Sequence, residues 1–299
     1  MRTLEYAPRA APRPAASDHT QTIGVLSLGP IQSAKPSALL AIHQATRNSD
    51  HVVSTVTVPV RDHDALRSAV ARLRRVYVDG ILAVAPPSGA IDVLVELSGD
   101  IPLVAVATGP QEGVSAVAID QYAGGAAATS HLLELGHRTV FHIAGPAEGR
   151  DPGRGLSGWR DTLVRAGAEI PLPMVGDSSP EAGYELGCRL GSRPDVTAIF
   201  VAGDQMALGV LRALHEAGRR VPEEVSVVGC DGAPEAEFFN PPLTTIRHDY
   251  AELGRRSLEL LLEEIEVGAH ANVHETIPAE LIVRASTAAV HARTQRGVL

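Results

Sequence analysis

Aromatic residues, cysteines and long apolar runs are all scarce in this chain of 299 residues. Aromatics make up 3% of it, with the single tryptophan Trp159, so few rings could stack on a sugar. The two cysteines, Cys188 and Cys230, are too few for a disulfide framework and indicate a reducing, cytoplasmic setting. No apolar run approaches the roughly 20 residues that cross a bilayer, which argues against a membrane protein.

Positive charge is also in short supply. The chain has 26 basic and 35 acidic residues and a formal net charge of −9, which argues against nucleic-acid binding by the whole surface. A DNA contact would need a separate basic segment. The 44% hydrophobic and 20% charged fractions are those of a globular protein, and the length predicts about two domains at roughly 150 residues each.

The two ends of the chain differ from its middle. Residues 1–21 contain Pro8, Pro12 and Pro14 among alanines and arginines, which forbids a continuous helix and predicts a disordered arm. The arm lacks the apolar core of a secretory signal. Residues 291–299 are predicted to be a tail.

From residue 22 onward, short apolar runs alternate with amphipathic stretches, which predicts βαβ units and parallel sheets buried on both faces. The number of units fits two doubly wound α/β lobes. The predicted strands are 22–28, 51–58, 80–84, 103–107, 115–119, 139–143, 198–201, 225–229, 273–277 and 281–284. The predicted helices include 64–76, 90–97, 123–135, 155–167, 180–190, 206–217 and 250–267. Gly136, Gly167 and Gly218 follow helices and are predicted to end them in the left-handed conformation.

Three acidic residues follow predicted strands at the edge where parallel sheets bind ligands. Asp120, Asp204 and Asp231 could therefore accept hydrogen bonds from a polar ligand. The alternative is that each caps the next helix, which is as good an explanation for Asp120 and Asp204. Asp231 precedes Gly232 and Pro234 rather than an obvious helix, and it is the best ligand candidate.

Enzyme motifs are weak or missing. Gly153, Gly155 and Gly158 form G-x-G-x-x-G, but a long loop separates them from the preceding strand, so a dinucleotide site is not expected. The sequence contains neither a G-x-S-x-G elbow nor a P-loop, and its histidines lack zinc-site spacing. Cys230 is interpreted as a small buried core residue. We therefore expect no enzyme activity, cofactor or metal.

Several ordered segments resemble the LacI/GalR family of transcription regulators, over about residues 22 to 288. They are VAGDQMALGVLRALHEAGRRVPEEVSVVGCDG (201–232), IDQYAGGAAATSHLLELGHRTVFHIAGP (119–146), PPLTTIRHDYAELGRRSLELLL (241–262) and IPAELIVRAST (277–287). The resemblance implies a type I periplasmic-binding-protein core of two lobes joined by three crossovers. It also implies a homodimer in which a small polar effector controls operator binding allosterically.

The resemblance further implies lobe boundaries. One lobe would hold residues 22–142 and 244–268, and the other 143–243 and 269–290.

It implies an effector site too. Asp120, Asp204, Asp231 and His248 match or adjoin the family's contact positions, and Arg154 is adjacent to Gly155, which replaces the family's usual arginine. Ser178 replaces an aromatic that can stack on a sugar, and the loss of this ring and of the arginine leaves two alternatives open, a bulkier ligand or none. Trp159 is assigned to core packing.

The N-terminal arm matches the spacing of the family's hinge, with Tyr6 and Pro8 at its start. The preceding helix-turn-helix headpiece is not among these residues, and Ala15 stands where the family inserts a leucine into the minor groove. We expect little DNA binding from these residues alone. Two other classes remain open: a solute-binding protein of the same fold, and a nucleotide-using enzyme that relies on the glycine motif.

Overall fold

The computed structural model describes residues 20–28, 36–47, 49–58, 63–85, 89–107, 113–146, 153–268 and 272–290. Most of the predicted arm, with Ala15, and the predicted tail lie outside these residues.

Helices and strands alternate along most of the chain, as predicted. In chain order they are β1 (Thr22–Leu28), α1 (Pro36–Arg47), β2 (Val52–Val58), α2 (His63–Arg75), β3 (Gly80–Val84), α3 (Ala90–Ser98), β4 (Leu103–Ala107), β5 (Ser115–Ile119), α4 (Gln121–Glu134), β6 (Phe141–Ala144), α5 (Arg154–Arg165), β7 (Met174–Val175), α6 (Pro180–Gly191), β8 (Ala198–Val201), α7 (Asp204–Glu216), β9 (Ser226–Asp231), a 3-10 helix (Pro234–Phe238), β10 (Thr244–His248), α8 (Tyr250–Val267), β11 (His274–Ile277) and β12 (Ala279–Ile282).

The first sheet has the strand order β11-β5-β4-β3-β1-β2, and its neighbouring strands are parallel. Alternate side chains of each strand point to opposite faces. Leu26 therefore packs with α2 and α3, whereas Ile23 and Val25 pack with α1 and α8. Both faces of the inner strands β1, β3, β4 and β5 are buried, which explains why these strands are mostly apolar without alternation.

The second sheet has the order β12-β10-β9-β8-β6-β7 and is parallel except for the β10–β12 pair. Helices α6 and α7 cover one face, and α4 and α5 cover the other. The two sheets confirm the predicted α/β fold of two doubly wound lobes.

The chain passes between the sheets three times, at 119–121, 248–250 and 277–279. These crossovers correct the sequence-based lobe boundaries. Helix α4 and strand β6 belong to the second lobe, not the first, and β10 pairs with β9 of the second sheet. Strand β11 joins β5 of the first sheet. The boundaries failed because a strand's apolar pattern marks the strand but does not specify the sheet it joins.

Glycines allow the two helix pairs of the second lobe to pack closely. A Cβ added at Gly158 of α5 would lie 2.1 Å from the carbonyl oxygen of Tyr122 in α4, and one at Gly209 of α7 would lie 2.0 Å from that of Pro180 in α6. A Cβ at Gly125 would likewise meet the carbonyl oxygen of Gly155 at 2.1 Å. Two glycines of the G-x-G-x-x-G motif thus lie where α4 and α5 pack together, which explains them without a dinucleotide.

Most predicted elements agree with the structure to within a few residues. Gly136, Gly167 and Gly218 have φ values of 90°, 62° and 71°, which confirms the predicted helix ends. Strand β10 was missed because its sequence, TTIRH, carries a weak apolar signal, and its identity as a strand comes from its two neighbours.

We predict that Gly209→Ala destabilises the second lobe. The new Cβ would meet backbone atoms of α6, which cannot rotate away, so the helices must separate. The expected loss in free energy of unfolding is at least about 2 kcal/mol, measured by chemical denaturation. Gly155→Ala is the matched control, because its Cβ would lie 3.6 Å from its nearest neighbour, the carbonyl oxygen of Gln121. Equal stability of the two variants would contradict this account.

Because His137 is buried in a neutral form, we predict that the stability of the folded chain depends on pH. Its ring nitrogens lie 3.0 Å from the hydroxyl oxygens of Thr197 and Ser226, and burial lowers its pKa to about 4. In the unfolded chain His137 takes up a proton near pH 6.5, whereas in the folded chain it stays neutral until the pH approaches 4. Neutral His137 therefore makes its full contribution to the free energy of unfolding above pH 6.5, and this contribution is lost as the pH falls toward 4.

The matched variant is His137→Gln, which keeps hydrogen-bonding atoms but cannot titrate. Urea denaturation between pH 7 and pH 5 should show a larger loss of unfolding free energy for the unaltered chain than for the variant. Parallel pH profiles would exclude His137 as the source.

Candidate functional site

A small cleft lies at the carboxyl edge of the second sheet. Its floor is made of strand residues, and parts of α4 and α5 form its walls. The described lining residues are Gln121, Gly125, His142, Gly155, Phe200, Ala202, Cys230, Asp231 and His248. None of these residues is Lys or Arg.

Strand register explains the composition of the floor. His142 pairs with Phe200, Phe200 with Val228, and Val228 with Thr244 across neighbouring parallel strands. Paired residues share a face, and so do residues two apart along a strand. Ala202, Cys230 and His248 therefore lie on the same face as His142, which is the face covered by α4 and α5.

His142 is a buried histidine in the floor of this cleft. Its ring stacks between Trp159 and Phe200, with centroid distances of 5.2 and 4.7 Å. Its Nδ1 lies 2.9 Å from the carbonyl oxygen of Phe200, which can only accept, so Nδ1 carries the proton. Burial lowers the pKa of His142 to about 4, and Nε2 has no hydrogen-bond partner among the described residues. A neutral ring thus offers an unpaired acceptor.

Cys230, Asp231, His248 and Tyr250 form a connected polar group. The Sγ of Cys230 lies 3.6 Å from Nε2 of His248. On the other side of this ring, Nδ1 lies 3.3 Å from Oδ1 of Asp231 and 3.4 Å from the Tyr250 hydroxyl, which itself donates to Oδ1. One donor atom from each of Cys230, Asp231 and His248 lies within 4.8 Å of the others, so these residues could hold a metal ion.

The backbone at Asp231 is unusual. This residue has φ 104°, and the following Gly232 has φ 71°. A Cβ at Gly232 would meet the Cα of Arg247 at 2.7 Å, so the chain turns tightly against β10 at this point. Residues other than glycine rarely adopt such φ values, and backbone strain of this kind is typical of functional sites.

Two of the five predicted effector residues, Asp231 and His248, are among the described residues that line the cleft. Asp204 is 1% exposed and does not line the cleft. Its Oδ1 accepts a hydrogen bond from the Thr245 hydroxyl and its Oδ2 one from the backbone N–H of Ala233. Burial raises the pKa of Asp204 to about 7, against the effect of these hydrogen bonds. Asp204 therefore ties α7 to β10 and to the turn after Asp231, and an effector contact by this residue stays a prediction.

Asp120 and Arg154 lie beside the cleft but are not among its described lining. The Asp120 carboxylate accepts a hydrogen bond from the backbone N–H of Ala123 and caps α4, as the alternative explanation held. Arg154 is exposed at the first position of α5. Effector contacts by these two residues stay predictions.

Sequence reasoning missed the central feature of the site, His142, and assigned Cys230 to the core. A signal for His142 was present: it is the one polar residue of the strand FHIA. A lone polar residue in a buried strand needs a partner, but only the strand order shows which residues surround it. Trp159 is 1% exposed and donates a hydrogen bond from Nε1 to the Val140 carbonyl oxygen, which confirms its packing role.

Of the helices that the structure describes, none has the length and apolar character needed to cross a membrane.

Comparison with known proteins agrees with this architecture. Residues 129–287 match the model of the periplasmic binding protein-like domain. The lactose operon repressor of Klebsiella pneumoniae is 30% identical over 299 residues, covering 99% of this chain and 84% of the repressor. The regulator CelR of Thermobifida fusca is 39% identical over 180 residues, covering 59% of this chain and 53% of CelR.

Two solved structures show the same fold. A lac repressor dimer bound to operator and the anti-inducer ONPF aligns with a TM-score of 0.83 at 28% identity, covering 95% of this chain and all of that one. A complex of CelR with cellobiose aligns with a TM-score of 0.79 at 30% identity, covering 90% and 85%. The chain shares the fold of these regulators, and a relative that is 30% identical covers nearly all of it. The chain therefore belongs to the LacI/GalR family of transcription regulators.

Proposed function

We propose that this chain is the effector-binding core of a cytoplasmic transcription regulator, and that the cleft at the edge of the second sheet receives a small polar effector. The observation that carries the proposal is the group of hydrogen-bonding side chains within the cleft. Asp231, His248 and Gln121 converge there, and Nε2 of His142 is an unpaired acceptor at its floor.

The chemistry of the described lining favours an uncharged, donor-rich effector. The carboxylate of Asp231 and Nε2 of His142 both accept hydrogen bonds, whereas the described lining offers no cationic side chain to an anion. The Phe200 side chain supplies an apolar part of the lining. Relatives crystallised with cellobiose or with the anti-inducer ONPF support a small-molecule ligand.

The crossovers connect this cleft to the rest of the molecule. Gln121 follows the first crossover, and His248 lies at the start of the second, so a ligand that contacts both touches the segments that join the lobes. An effector with different affinities for two lobe arrangements would shift their populations. In a homodimer, such as the lac repressor dimer, this shift would change the spacing of the DNA-binding parts.

Effector binding predicts saturable thermal stabilisation by at least one ligand from a panel of neutral mono- and disaccharides, polyols and nucleosides that includes cellobiose. Asp231→Ala should lower the affinity for that ligand by about 10- to 100-fold, because a hydrogen bond to a charged group is lost. Isothermal titration calorimetry measures the change.

The matched control is Asp195→Ala, because Asp195 lies in the same lobe and makes an exposed ion pair with Arg193. An Asp231→Ala variant that folds and retains full affinity would remove Asp231 from the site.

The regulatory role predicts association with discrete DNA sites in the native host. Chromatin immunoprecipitation of the protein as the host expresses it should enrich those sites, and the identified ligand should change the enrichment severalfold. A protein that binds its ligand but enriches no site above the background would instead fit a solute-binding protein of the same fold.

A further inference from the structure

We propose that Cys230, His248 and Asp231 form a binding site for a divalent ion of the zinc class at the edge of the cleft. The inference rests on the proposed function in one respect, since it names a ligand class for the same cleft. It stands on separate observations, which concern the positions of the donor atoms.

The first observation is the separation of the sulfur and the imidazole nitrogen. Zinc binds thiolate sulfur at about 2.3 Å and imidazole nitrogen at about 2.0 Å, and tetrahedral geometry then places the two ligand atoms about 3.5 Å apart. The Sγ of Cys230 and Nε2 of His248 lie 3.6 Å apart. An ion could bridge them with little movement of either side chain.

The second observation is the orientation of the His248 ring. Histidines that bind metals usually donate their other N–H to a carboxylate or another acceptor, which fixes the ring and leaves the remaining nitrogen to the metal. Nδ1 of His248 faces the Asp231 carboxylate and the Tyr250 hydroxyl. With a proton on Nδ1, the lone pair of Nε2 points toward Cys230.

Asp231 completes the set of ligands. One of its donor atoms lies within 4.8 Å of donor atoms from both other residues. If the Asp231 carboxylate turned toward the ion, the Tyr250 hydroxyl oxygen could accept the hydrogen bond from Nδ1 of His248 in its place. These two atoms are 3.4 Å apart. Asp231 occupies this position with a φ of 104°, a strained conformation for a residue other than glycine.

An independent observation comes from the floor of the same cleft. His142 is 2% exposed, its Nδ1 bonds to the carbonyl oxygen of Phe200, and its Nε2 has no partner among the described residues. This arrangement is again that of a metal-binding histidine with its second nitrogen anchored. Three ligands from Cys230, His248 and Asp231 leave a tetrahedral ion one open position, which water or the effector could fill.

The donor set decides which ion fits. Calcium and magnesium prefer sites built wholly from oxygen, whereas a thiolate and an imidazole select zinc and related transition metals. The thiol of Cys230 must lose its proton when the ion binds.

The test uses the full, untagged chain after dialysis against a chelator. We expect about one equivalent of Co²⁺ to produce visible d–d absorption together with a thiolate-to-cobalt charge-transfer band. We also expect Zn²⁺ to displace the Co²⁺ and abolish both. Cys230→Ser should lose the charge-transfer band, and His248→Gln should weaken Zn²⁺ binding at least tenfold in competition with a chromophoric chelator. Circular dichroism establishes that each variant is folded.

Cys188→Ser is the matched control, because Cys188 is the other cysteine and is exposed on α6. It should keep the band and the Zn²⁺ affinity. The proposal is overturned if the unaltered chain gives no charge-transfer band, if Cys188→Ser abolishes the band, or if a folded Cys230→Ser variant binds Zn²⁺ as tightly as the unaltered chain. Should Cys230→Ser fail to fold, the His248→Gln affinity alone decides, and unchanged affinity overturns the site.

The two proposals can fail separately. Ligand-dependent stabilisation that needs Asp231 and persists in the metal-free chain, without a cobalt spectrum, would refute the metal site and leave the effector cleft intact. Metal binding without any DNA association would refute the regulatory role and leave the metal site intact.

Discussion

The register of the parallel strands in the second sheet is the constraint on which the site depends. Because neighbouring strands pair in phase, the side chains that share a face form rows across the sheet. One such face carries His142, Phe200, Cys230 and His248 toward α4 and α5. A shift of one residue in any of these strands would turn its contribution to the opposite face, against α6 and α7.

Close helix packing keeps this row covered and leaves only its end open. Glycines bring α4 against α5 and α6 against α7 until backbone atoms are in contact. The lobes are joined through short crossovers, and Asp120 and Asp249 cap the helices that follow two of them. A ligand at the end of the row therefore lies beside the segments whose geometry relates the two lobes, as a ligand-responsive regulator requires.

Buried polar residues in the second lobe divide into two roles. Asp204 and His137 have their hydrogen bonds satisfied by neighbouring elements and hold the lobe together. His142 has one nitrogen anchored and the other unpaired in the cleft. Burial alone does not separate these roles, since all three residues are at most 6% exposed. The difference lies in where each remaining polar atom points.

The sequence by itself determined the class of fold, the family and most of the helices and strands, because apolar periodicity and helix ends are local properties. It also singled out Asp231, whose flanking glycine and proline leave no helix to cap. Only the tertiary structure decided which sheet each late strand joins, that Asp204 is an internal anchor, and that His142 and Cys230 lie in one cleft with His248. The three cleft residues come from three different strands, and the distances between them depend on strand order and register, which no local pattern contains.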